Sequence, residues 1–337
     1  MSGTRIVGLV PWLPWPLNRS PWWTAPVRAE RLAALRIGLA VLFLADVLLY
    51  YGPWLPVFYG ANSLGDPEVF AWVCRAPRWS WTPLRSVHSL AVIEVAFAFW
   101  IVTGVGLLLG FWTRCCAAVS WALSVSLSNL NPYVENAGDE VRTIILFYLM
   151  LSPCGAVWSL DAGQGREREV VLVPPWPLRL LFVQMVLIYF MNGLYKAGGA
   201  DWQAGDSLYY VLADLTLARW SYAQLPLPVP LTRWLTWLIL GWELAFPALM
   251  LAPGLAGALT DRLRCPDPWR RGLRRAATAL RTAGLLFGVA FHVGIALCLE
   301  IGMFAPYMLC LYLPLLPWER WADRHVTDSR VGCSTER

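Results

Sequence analysis

Lysine and histidine are scarce in this sequence. Lys196 is the single lysine among 27 basic residues, and the chain has three histidines. Charged residues make up only 15% of the chain, whereas soluble domains carry about 25%. Hydrophobic residues make up 58%, and the mean hydropathy is +0.50. This composition argues against a soluble globular domain and favours a protein that lies largely in a membrane.

The motifs of several common kinds of site are also missing. The eight cysteines show no metal-ligand spacing, and most lie in or beside apolar runs, where a free cysteine behaves as a small hydrophobic residue. The sequence contains no phosphate-binding loop and no serine–histidine–acid signature. The N-terminal stretch is broken by prolines and lacks the apolar core of a cleavable signal peptide. The sequence therefore predicts neither a metal site nor a disulfide framework.

Eight apolar runs have the length of roughly 17–25 residues that a membrane-spanning helix needs. Each is expected to be helical, because lipid cannot satisfy open backbone groups. The predicted fold class is an all-α integral membrane protein, a polytopic bundle of about eight transmembrane helices. The short stretch EIGMF alone separates the last two runs, so seven spans are the alternative. The predicted spans are 33–51, 88–112, 115–131, 141–160, 177–195, 233–253, 280–299 and 302–318.

Arginine is distributed unevenly among the segments between these spans. It is concentrated in 1–32, 113–114, 161–176, 254–279 and 319–337. The positive-inside rule then places both termini in the cytoplasm and the 197–231 loop outside. The dense basic run at 262–275 fits this topology and contact with anionic lipids better than a nucleic-acid site.

The sequence thus predicts a cell-membrane protein with three parts. Residues 1–32 form an interfacial arm rich in proline and tryptophan, anchored by aromatic rings at the membrane surface. Residues 33–318 form the multi-span membrane domain. Residues 319–337 form a basic cytoplasmic tail.

Several ionisable or polar side chains fall in or beside the predicted spans, where a charge is costly and usually faces the protein interior or marks a functional path. In the predicted topology most of them lie in the outer half of the membrane. Those interpreted as structural are Arg36, Asp46, Glu94 and Glu243. Those predicted to surround a substrate or quinol pocket are Asn131, Asp139, Arg142, Tyr189, Asn192 and Glu300. Asp139 and Arg142 also fit a simple pair at a helix start.

Lys196 lies at the predicted end of the fifth span. Unlike arginine, a desolvated lysine can lose its proton, as a general base must. Tyr189 and Asn192 precede it on the same predicted helix face, so the Asn192 amide is expected to bond the amine. Gly198 and Gly199 are expected to end the helix. The alternative is a lysine that merely reaches the membrane surface.

His292 lies in the apolar run LLFGVAFHVGIALCLEIGMF. A lone histidine on an apolar face is more often a satisfied core residue than a catalyst. It is nevertheless the second candidate catalytic residue beside Lys196, because histidine carries protons near neutral pH.

Several segments carry a resemblance to a known family. YFMNGLYKAGGADWQAGDSLYY resembles the lysine-containing segment of the vitamin K-dependent gamma-carboxylases, and LRIGLAVLFLAD resembles the start of their membrane domain. FHVGIALCLEIGMFAPYMLCLYLPLLPW resembles their histidine-containing helix pair. NPYVENAGDEVRTIILFYLMLSPCGAVWSLD is similar to the bacterial form known as the horizontally transferred transmembrane (HTTM) domain. The resemblance covers roughly residues 30–320.

The resemblance implies that Lys196 deprotonates a quinol similar to vitamin K hydroquinone or menaquinol, which then reacts with oxygen to give a strong base. In the carboxylases that base removes a glutamyl proton, and the carbanion captures carbon dioxide. His292 matches a histidine of the same membrane core, and Tyr133, which is also predicted to be part of the pocket, stands where the family has another histidine. No segment resembles the large extramembrane domain that captures carboxylase substrates.

Two function classes follow. One is a quinol-activating redox or carboxylase-like enzyme in which Lys196 and His292 are catalytic. The other is a non-enzymatic accessory membrane protein that helps a secreted peptide to mature or to be exported. The expected partners are membrane lipids, a quinone and a secreted peptide or protein, with no nucleic acid and no metal.

Overall fold

The protein is almost entirely helical in the part that the computed structural model describes, which is residues 4–7, 21–59, 63, 82–84, 87, 89–131, 133–163 and 170–318. Its helices are α1 (Pro21–Thr24), α2 (Glu30–Asp46), α3 (Leu55–Phe58), α4 (Leu90–Leu109), α5 (Thr113–Leu130), α6 (Ala137–Leu151), α7 (Trp176–Ala197), α8 (Ala200–Ala204), α9 (Ser207–Ala213), α10 (Val229–Arg262), α11 (Asp267–Cys298) and α12 (Phe304–Cys310). Further 3₁₀ turns cover Leu160–Ala162 and Leu313–Leu315. The chain divides into two compact units, which are described separately: Met1–Leu181 with Gly302–Arg337, and Phe182–Ile301.

In the first unit, α2 does not stop at its last α-helical residue. It continues through a π-helical turn (Val47–Tyr51) and a 3₁₀ turn (Gly52–Trp54) into α3. Pro53 explains the change of hydrogen bonding, because it has no N–H for the carbonyl of residue 49 and its ring crowds that carbonyl. The wider turn rotates the side chains that follow Asp46 relative to those of α2.

The core of the first unit lies where α2, its π-helical turn, α4 and α5 meet. Trp100 of α4 is fully buried, and its ring centroid lies 5.3 Å from that of Phe43 and 5.3 Å from that of Tyr51. Its indole Nε1 donates to the carbonyl of Ser120 on α5, at 3.2 Å. A buried tryptophan needs such an acceptor, so this bond fixes α4 against α5.

A small sheet accompanies the helices of the first unit, which the sequence did not predict. β1 (Thr4–Ile6) pairs in parallel with β3 (Val170–Val173), and β2 (Val27–Arg28) pairs with β3 in the antiparallel direction. Two short pieces of the predicted 1–32 arm therefore form strands. Residues 8–20 of that arm, and the predicted tail 319–337, lie outside the described residues.

The second unit contains the end of α7, the short helices α8 and α9, and a long hairpin made of α10 and α11. α7 ends at Ala197, as the glycines after it predicted. Trp242 of α10 donates to the carbonyl of Gly284 on α11 at 3.0 Å, and a Cβ at Gly284 would lie 3.0 Å from Leu249 Cδ1 of α10. The hairpin thus supplies the face against which the end of α7 packs.

An all-α polytopic membrane fold is confirmed, whereas the count of eight spans is not. Within the described residues, five helical segments are long and apolar enough to cross a membrane: Glu30–Phe58, Leu90–Leu109, Trp176–Ala197, Val229–Arg262 and Asp267–Cys298. The other three predicted spans fall on shorter or less apolar helices. α5 is rich in serine, and α12 has 7 residues before the chain turns into a 3₁₀ segment. α6 has 15 residues, about 22 Å, against a hydrocarbon core of about 30 Å.

The predicted span 141–160 is too long at its C-terminal end. Its helix, α6, stops at Leu151, and Ser152 adopts an extended backbone. Pro153 is the reason, because a residue that precedes proline is disfavoured in the α conformation. Because the apolar residues continue beyond Pro153, hydropathy alone did not reveal that the helix ends at Leu151.

Candidate functional site

Arg142 of α6 is the centre of a closed ion cluster in the first unit. Its Nη1 lies 2.6 Å from Asp46 Oδ2 and 2.8 Å from Asp139 Oδ1, and all three side chains are buried. Tyr51 donates to Asp139 Oδ1 and Tyr307 donates to Asp46 Oδ2, each at 2.8 Å. A buried guanidinium needs such partners, because desolvation of an unpaired charge is costly. The cluster therefore ties α2 and its π-helical turn to α6 and α12.

Four aromatic rings surround the same guanidinium. The Cζ of Arg142 lies 5.0 Å from the centroid of Trp100, 5.5 Å from Tyr51, 5.9 Å from Tyr307 and 6.0 Å from Phe43. Within the described residues, Nε and Nη2 of Arg142 have no hydrogen-bond partner. Cation–π attraction replaces hydrogen bonding on this side of the group. This enclosure leaves the guanidinium no exposure to solvent.

Asp139 also starts the helix that carries Arg142. Asn136 and Asp139 form a capping box, in which the backbone N–H of Asn136 donates to Asp139 Oδ2 at 2.8 Å. Both oxygens of Asp139 are thus occupied, one by the helix start and the other by Arg142 and Tyr51. Asp139 is therefore a helix-start residue, as the alternative interpretation has it, and it also belongs to the Arg142 ion cluster.

The other polar residues predicted in the first unit lie outside the Arg142 cluster. Asn131 is buried and donates to the carbonyl of Phe58 at 2.7 Å, while its Oδ1 accepts from the backbone N–H of Tyr133 at 3.0 Å. The Tyr133 side chain is 55% exposed. Arg36 is buried and donates to the carbonyls of Cys154 and Trp158, which agrees with a structural role. Glu94 lies on an exposed face of α4.

Lys196 has a carboxylate partner in the second unit. Its Nζ lies 2.6 Å from Glu243 Oε1 of α10, and the side chains are 19% and 3% exposed. Gly193 allows this approach, because a Cβ there would lie 3.0 Å from Glu243 Cβ and 3.0 Å from Leu244 N. The second Glu243 oxygen, Oε2, is buried and has no hydrogen-bond partner among the described residues. The pair therefore has one vacant acceptor.

Aromatic rings flank the Lys196 amine and lead to His292. Nζ lies 4.6 Å from the Trp202 ring centroid and 5.8 Å from that of Phe291. His292 follows Phe291 on α11, and its Nε2 lies 2.8 Å from the hydroxyl of Tyr189. The Tyr189 ring packs on Trp242 of α10, with centroids 4.7 Å apart. The Lys196–Glu243 pair and the Tyr189–His292 pair, with the rings packed between them, are together called the second polar cluster, which lies wholly in the second unit.

The expected bond between Asn192 and Lys196 is wrong. The amide of Asn192 donates to the carbonyl of Ile188 in its own helix, at 2.9 Å, and the residue is exposed. At about 100° per residue, Lys196 lies roughly 20° from Tyr189 around α7, whereas Asn192 lies about 60° from Tyr189 and about 40° from Lys196. That rotation turns Asn192 outward, and Glu243 takes the partner role that was expected for it.

Glu300 lies at the surface of the second unit. Its carboxylate lies 3.3 Å from Arg219 Nη1, and its side chain is 54% exposed. The backbone N–H of Glu300 donates to the carbonyl of Leu217 at 2.7 Å. In this setting Glu300 helps to hold the 214–219 segment against the end of α11.

The HTTM domain matches residues 25–253, which is more than half of the chain. The chain belongs to the HTTM family. It is therefore a membrane protein related to the gamma-carboxylase family. The matched range includes Asp46, Arg142, Lys196 and Glu243, and it ends before His292. No solved structure matches the chain.

Sequence reasoning missed several members of both clusters of this HTTM protein. Tyr51, Trp100 and Tyr307 are ordinary aromatic residues in apolar runs, and no periodicity separates them from the many other rings. Gly193 had a weak signal, since a glycine inside a helix often marks a close helix contact. The pairing of Glu243 with Lys196 depends on the register of two helices that are distant in sequence, which the sequence alone does not specify.

Proposed function

We propose that this HTTM protein binds a quinol or a similar phenol at the second unit and removes its hydroxyl proton at the Lys196–Glu243 pair. The main support for this proposal is the geometry of the pair. The Lys196 amine lies 2.6 Å from Glu243 Oε1, and the buried Oε2 of Glu243 has no hydrogen-bond partner among the described residues. A buried oxygen without a partner favours a ligand that brings a hydrogen-bond donor, because leaving it unsatisfied costs about 1–3 kcal/mol. A phenolic hydroxyl is such a donor.

The proton balance can be written in two ways. In the first, the Lys196 ammonium gives its proton to Glu243 Oε1, and the neutral amine then takes the phenolic proton. In the second, the Glu243 carboxylate takes the phenolic proton directly at Oε2, and the ammonium stabilises the phenolate. Both routes end with an ammonium, a protonated carboxyl and a phenolate, so they differ only in the atom that meets the substrate.

His292 is the second proposed acid–base group of the site. Its ring is 1% exposed, and its Nε2 shares a short hydrogen bond with the Tyr189 hydroxyl. Tyr189 lies on the same side of α7 as Lys196, two helical turns away. Tyr189 and His292 can therefore orient or receive the second hydroxyl of a bound quinol.

The resemblance to the gamma-carboxylases supports oxygen as the electron acceptor of the resulting quinolate. In that reaction the quinolate is oxidised and dioxygen is reduced. Carboxylation of glutamate in a secreted peptide is the further step that the family suggests.

We also propose the cell membrane as the location, with cytoplasmic termini and an external 197–231 loop. Labelling of a cysteine introduced in that loop on intact cells is expected, and labelling only after permeabilisation would contradict the orientation.

The test compares Lys196→Arg, Lys196→Ala and Glu243→Gln with the unaltered protein. The assay is quinol-dependent oxygen consumption in membranes with matched expression. Loss of about 10²–10⁴-fold is expected for Lys196→Ala and Glu243→Gln, the usual contribution of a positioned acid or base. Arg233→Gln is the matched control, because it breaks the exposed Arg233–Asp206 pair of the same unit, at 2.8 Å.

Lys196→Arg distinguishes the two proton routes. A guanidinium keeps its charge and does not release its proton, so inactivity of this variant assigns the base to the amine. Retained activity, with Glu243→Gln inactive, assigns it to the carboxylate. Full activity in both Lys196→Ala and Glu243→Gln would refute the proposal and favour an accessory protein in which the pair only joins α7 to α10.

A further inference from the structure

A groove of about 630 Å³ runs along the first half of α11, away from the Lys196 pair. Every residue that lines it belongs to this one helix and is exposed. We propose that an anionic phospholipid lies lengthwise in this groove, with its phosphate at Arg274 and Arg275. This inference is independent of the proposed quinol chemistry.

Along the helix the lining residues are first basic, then hydroxyl-bearing and then apolar. This is also the order of the phosphate, the glycerol and the acyl chain in a phospholipid. Arg274 and Arg275 form the basic end. Thr278 and Thr282 follow on the row that continues from Arg274, each four residues on. Their hydroxyls donate to the carbonyls of Arg274 and Thr278, at 2.7 and 2.9 Å, and keep lone pairs for a hydroxyl of the headgroup or glycerol.

The other end of the groove is apolar. Ala279 and Ala283 continue the row that starts at Arg275, and Leu286 closes the row of Arg274. The small alanine side chains leave a track beside the helix, and the Leu286 side chain is 64% exposed. From Arg274 to Leu286 the helix rises about 18 Å, enough for a phosphate, a glycerol and the first part of an acyl chain.

The groove lies where the helix changes from charged to apolar. α11 has 32 residues, about 48 Å, so it extends roughly 18 Å beyond a hydrocarbon core of about 30 Å. Residues 283–298 contain no Asp, Glu, Lys or Arg, whereas arginine is frequent from 270 to 281. The membrane surface therefore falls near the basic end of the groove, which is where lipid phosphates lie.

The electrostatic balance at the basic end favours an anion. Asp261 of α10 lies 3.6 Å from the nearest guanidinium nitrogen of Arg270 and also of Arg274, so one carboxylate serves two arginines. Arg275 forms no ion pair within the described residues, and Arg271 next to this site also forms none. The excess positive charge is complementary to a phosphate.

A phospholipid fits this groove better than an acidic peptide does. An acidic peptide would use the arginines but would leave the apolar track beside Ala279, Ala283 and Leu286 without a partner. A lipid uses both ends at once, and the apolar end continues along the membrane-length part of α11. The basic end and the apolar end together therefore favour a phospholipid over an acidic peptide.

The experiment measures lipid retention by the full chain in detergent, by native mass spectrometry. The probes are phosphatidylglycerol and phosphatidylcholine with the same acyl chains, with glycerol phosphate as the competitor that lacks chains. Arg274→Gln with Arg275→Gln tests the basic end, and Ala279→Trp tests the track. Arg262→Gln with Arg264→Gln is the matched control, because it removes the same charge from exposed positions of the same hairpin outside the groove.

Phosphatidylglycerol is expected to be retained in preference to phosphatidylcholine. The Arg274/Arg275 double variant should bind it roughly thirtyfold more weakly, since each basic residue near an anionic surface contributes about fivefold. The control pair should change binding less than about threefold, and Ala279→Trp should weaken binding without a change of charge. An unchanged unfolding temperature shows that each variant is folded.

Four results would overturn the proposal. Equal loss in the two double variants would mean a diffuse charge effect, and equal retention of both lipids would mean no selection of anions. Competition by glycerol phosphate at the lipid's own concentration would mean a site for a free phosphate. Displacement of the lipid by a polyglutamate peptide, with no effect of Ala279→Trp, would mean a peptide surface.

Discussion

Each unit of the protein has a polar cluster with a cation at its centre, Arg142 in the first and Lys196 in the second, and the two cations are enclosed in different ways. Arg142 is fully buried, has two carboxylates and two tyrosine hydroxyls around it, and is covered by four rings. Lys196 keeps 19% of its side chain exposed and pairs with one carboxylate, that of Glu243. The Oε2 of Glu243 has no hydrogen-bond partner among the described residues. Among the described residues, the Arg142 nitrogens that lack a hydrogen-bond partner belong to a guanidinium covered by aromatic rings, whereas the atom that lacks one in the Lys196–Glu243 pair is a buried carboxylate oxygen.

The difference follows from the chemistry of the two cations. A guanidinium stays charged and can bind two carboxylates at once, so it suits a permanent link between helices. An amine can exchange a proton with a carboxylate at hydrogen-bond distance, so a lysine–glutamate pair suits proton transfer. In the proposed function, the single lysine of the chain stands where a change of protonation is needed.

Arg142→Leu should have the largest effect on stability. It would leave Asp46 and Asp139 buried without a cation, and breaking a buried pair in this way costs about 3–5 kcal/mol. Thermal unfolding of the purified protein in detergent measures the loss. The matched control is Arg233→Leu at the exposed pair with Asp206, which should cost about 1 kcal/mol or less. Equal stability of the two variants would contradict a stabilising role for the Arg142 cluster.

A reciprocal exchange of the two cations sharpens the comparison. Arg142→Lys keeps the charge but cannot hold both carboxylates in the same geometry, so a loss of about 1.5–3 kcal/mol in the free energy of unfolding is expected. Lys196→Arg should cost less than about 1 kcal/mol, because this site is partly exposed. The same unfolding measurement applies to both. If Lys196→Arg lowered the free energy of unfolding more than Arg142→Lys, the Arg142 cluster would not be the more stabilising of the two.

Gly193→Ala probes how close α7 and α10 must be for the second cluster. The new Cβ would lie 3.0 Å from Glu243 Cβ, so the helices must separate by a few tenths of an ångström. A loss of about 1 kcal/mol in unfolding free energy is expected, with a several-fold loss of any quinol-dependent activity. Gly241→Ala is the control on α10, because nothing lies within 4 Å of its added Cβ. Identical behaviour of the two variants would argue against a tight helix contact.

The sequence predicted most of the fold, because long apolar runs must be helical in lipid. What it missed were interruptions inside those runs. Pro153 ended α6 early, and Pro53 turned the end of α2 into a π-helical segment, yet both lie within or beside stretches that are apolar by composition. The small sheet was missed because β1 pairs with a strand more than 160 residues away.

The site was predictable only to the level of residue type. The cost of burying charge correctly singled out Asp46, Asp139, Arg142 and Glu243 as residues that need partners. It could not say which partner each would find, because that depends on helix register and rotation. Asn192 shows the limit, since an offset of about 40° around α7 from Lys196 is enough to place its side chain at the surface. The assignment of these residues to a substrate pocket stays a prediction.

Asp161→Ala should have the smallest effect, and it tests a cap outside both clusters. Asp161 accepts from the backbone N–H groups of Trp112 (2.8 Å) and Thr113 (2.9 Å) at the start of α5, and also from the Thr113 hydroxyl. Partial burial opposes ionisation of the carboxyl, but these hydrogen bonds outweigh it and hold its pKa below the usual value. Because the carboxylate is largely exposed, its removal should cost about 0.5–1 kcal/mol at neutral pH, the low end for a helix cap.

The pH dependence of that cost identifies its cause. A carboxyl with a lowered pKa in the folded state stabilises the protein above its ordinary pKa of about 3.9, and this contribution is lost as the pH falls through the lowered value. The difference in unfolding temperature between the unaltered protein and Asp161→Ala should thus be constant above about pH 5 and should shrink below about pH 4. Asp206→Ala serves as the control, since that residue pairs with Arg233 in the other unit. A difference that stays the same down to pH 3 would mean that the Asp161 side chain acts through packing and not through its charge.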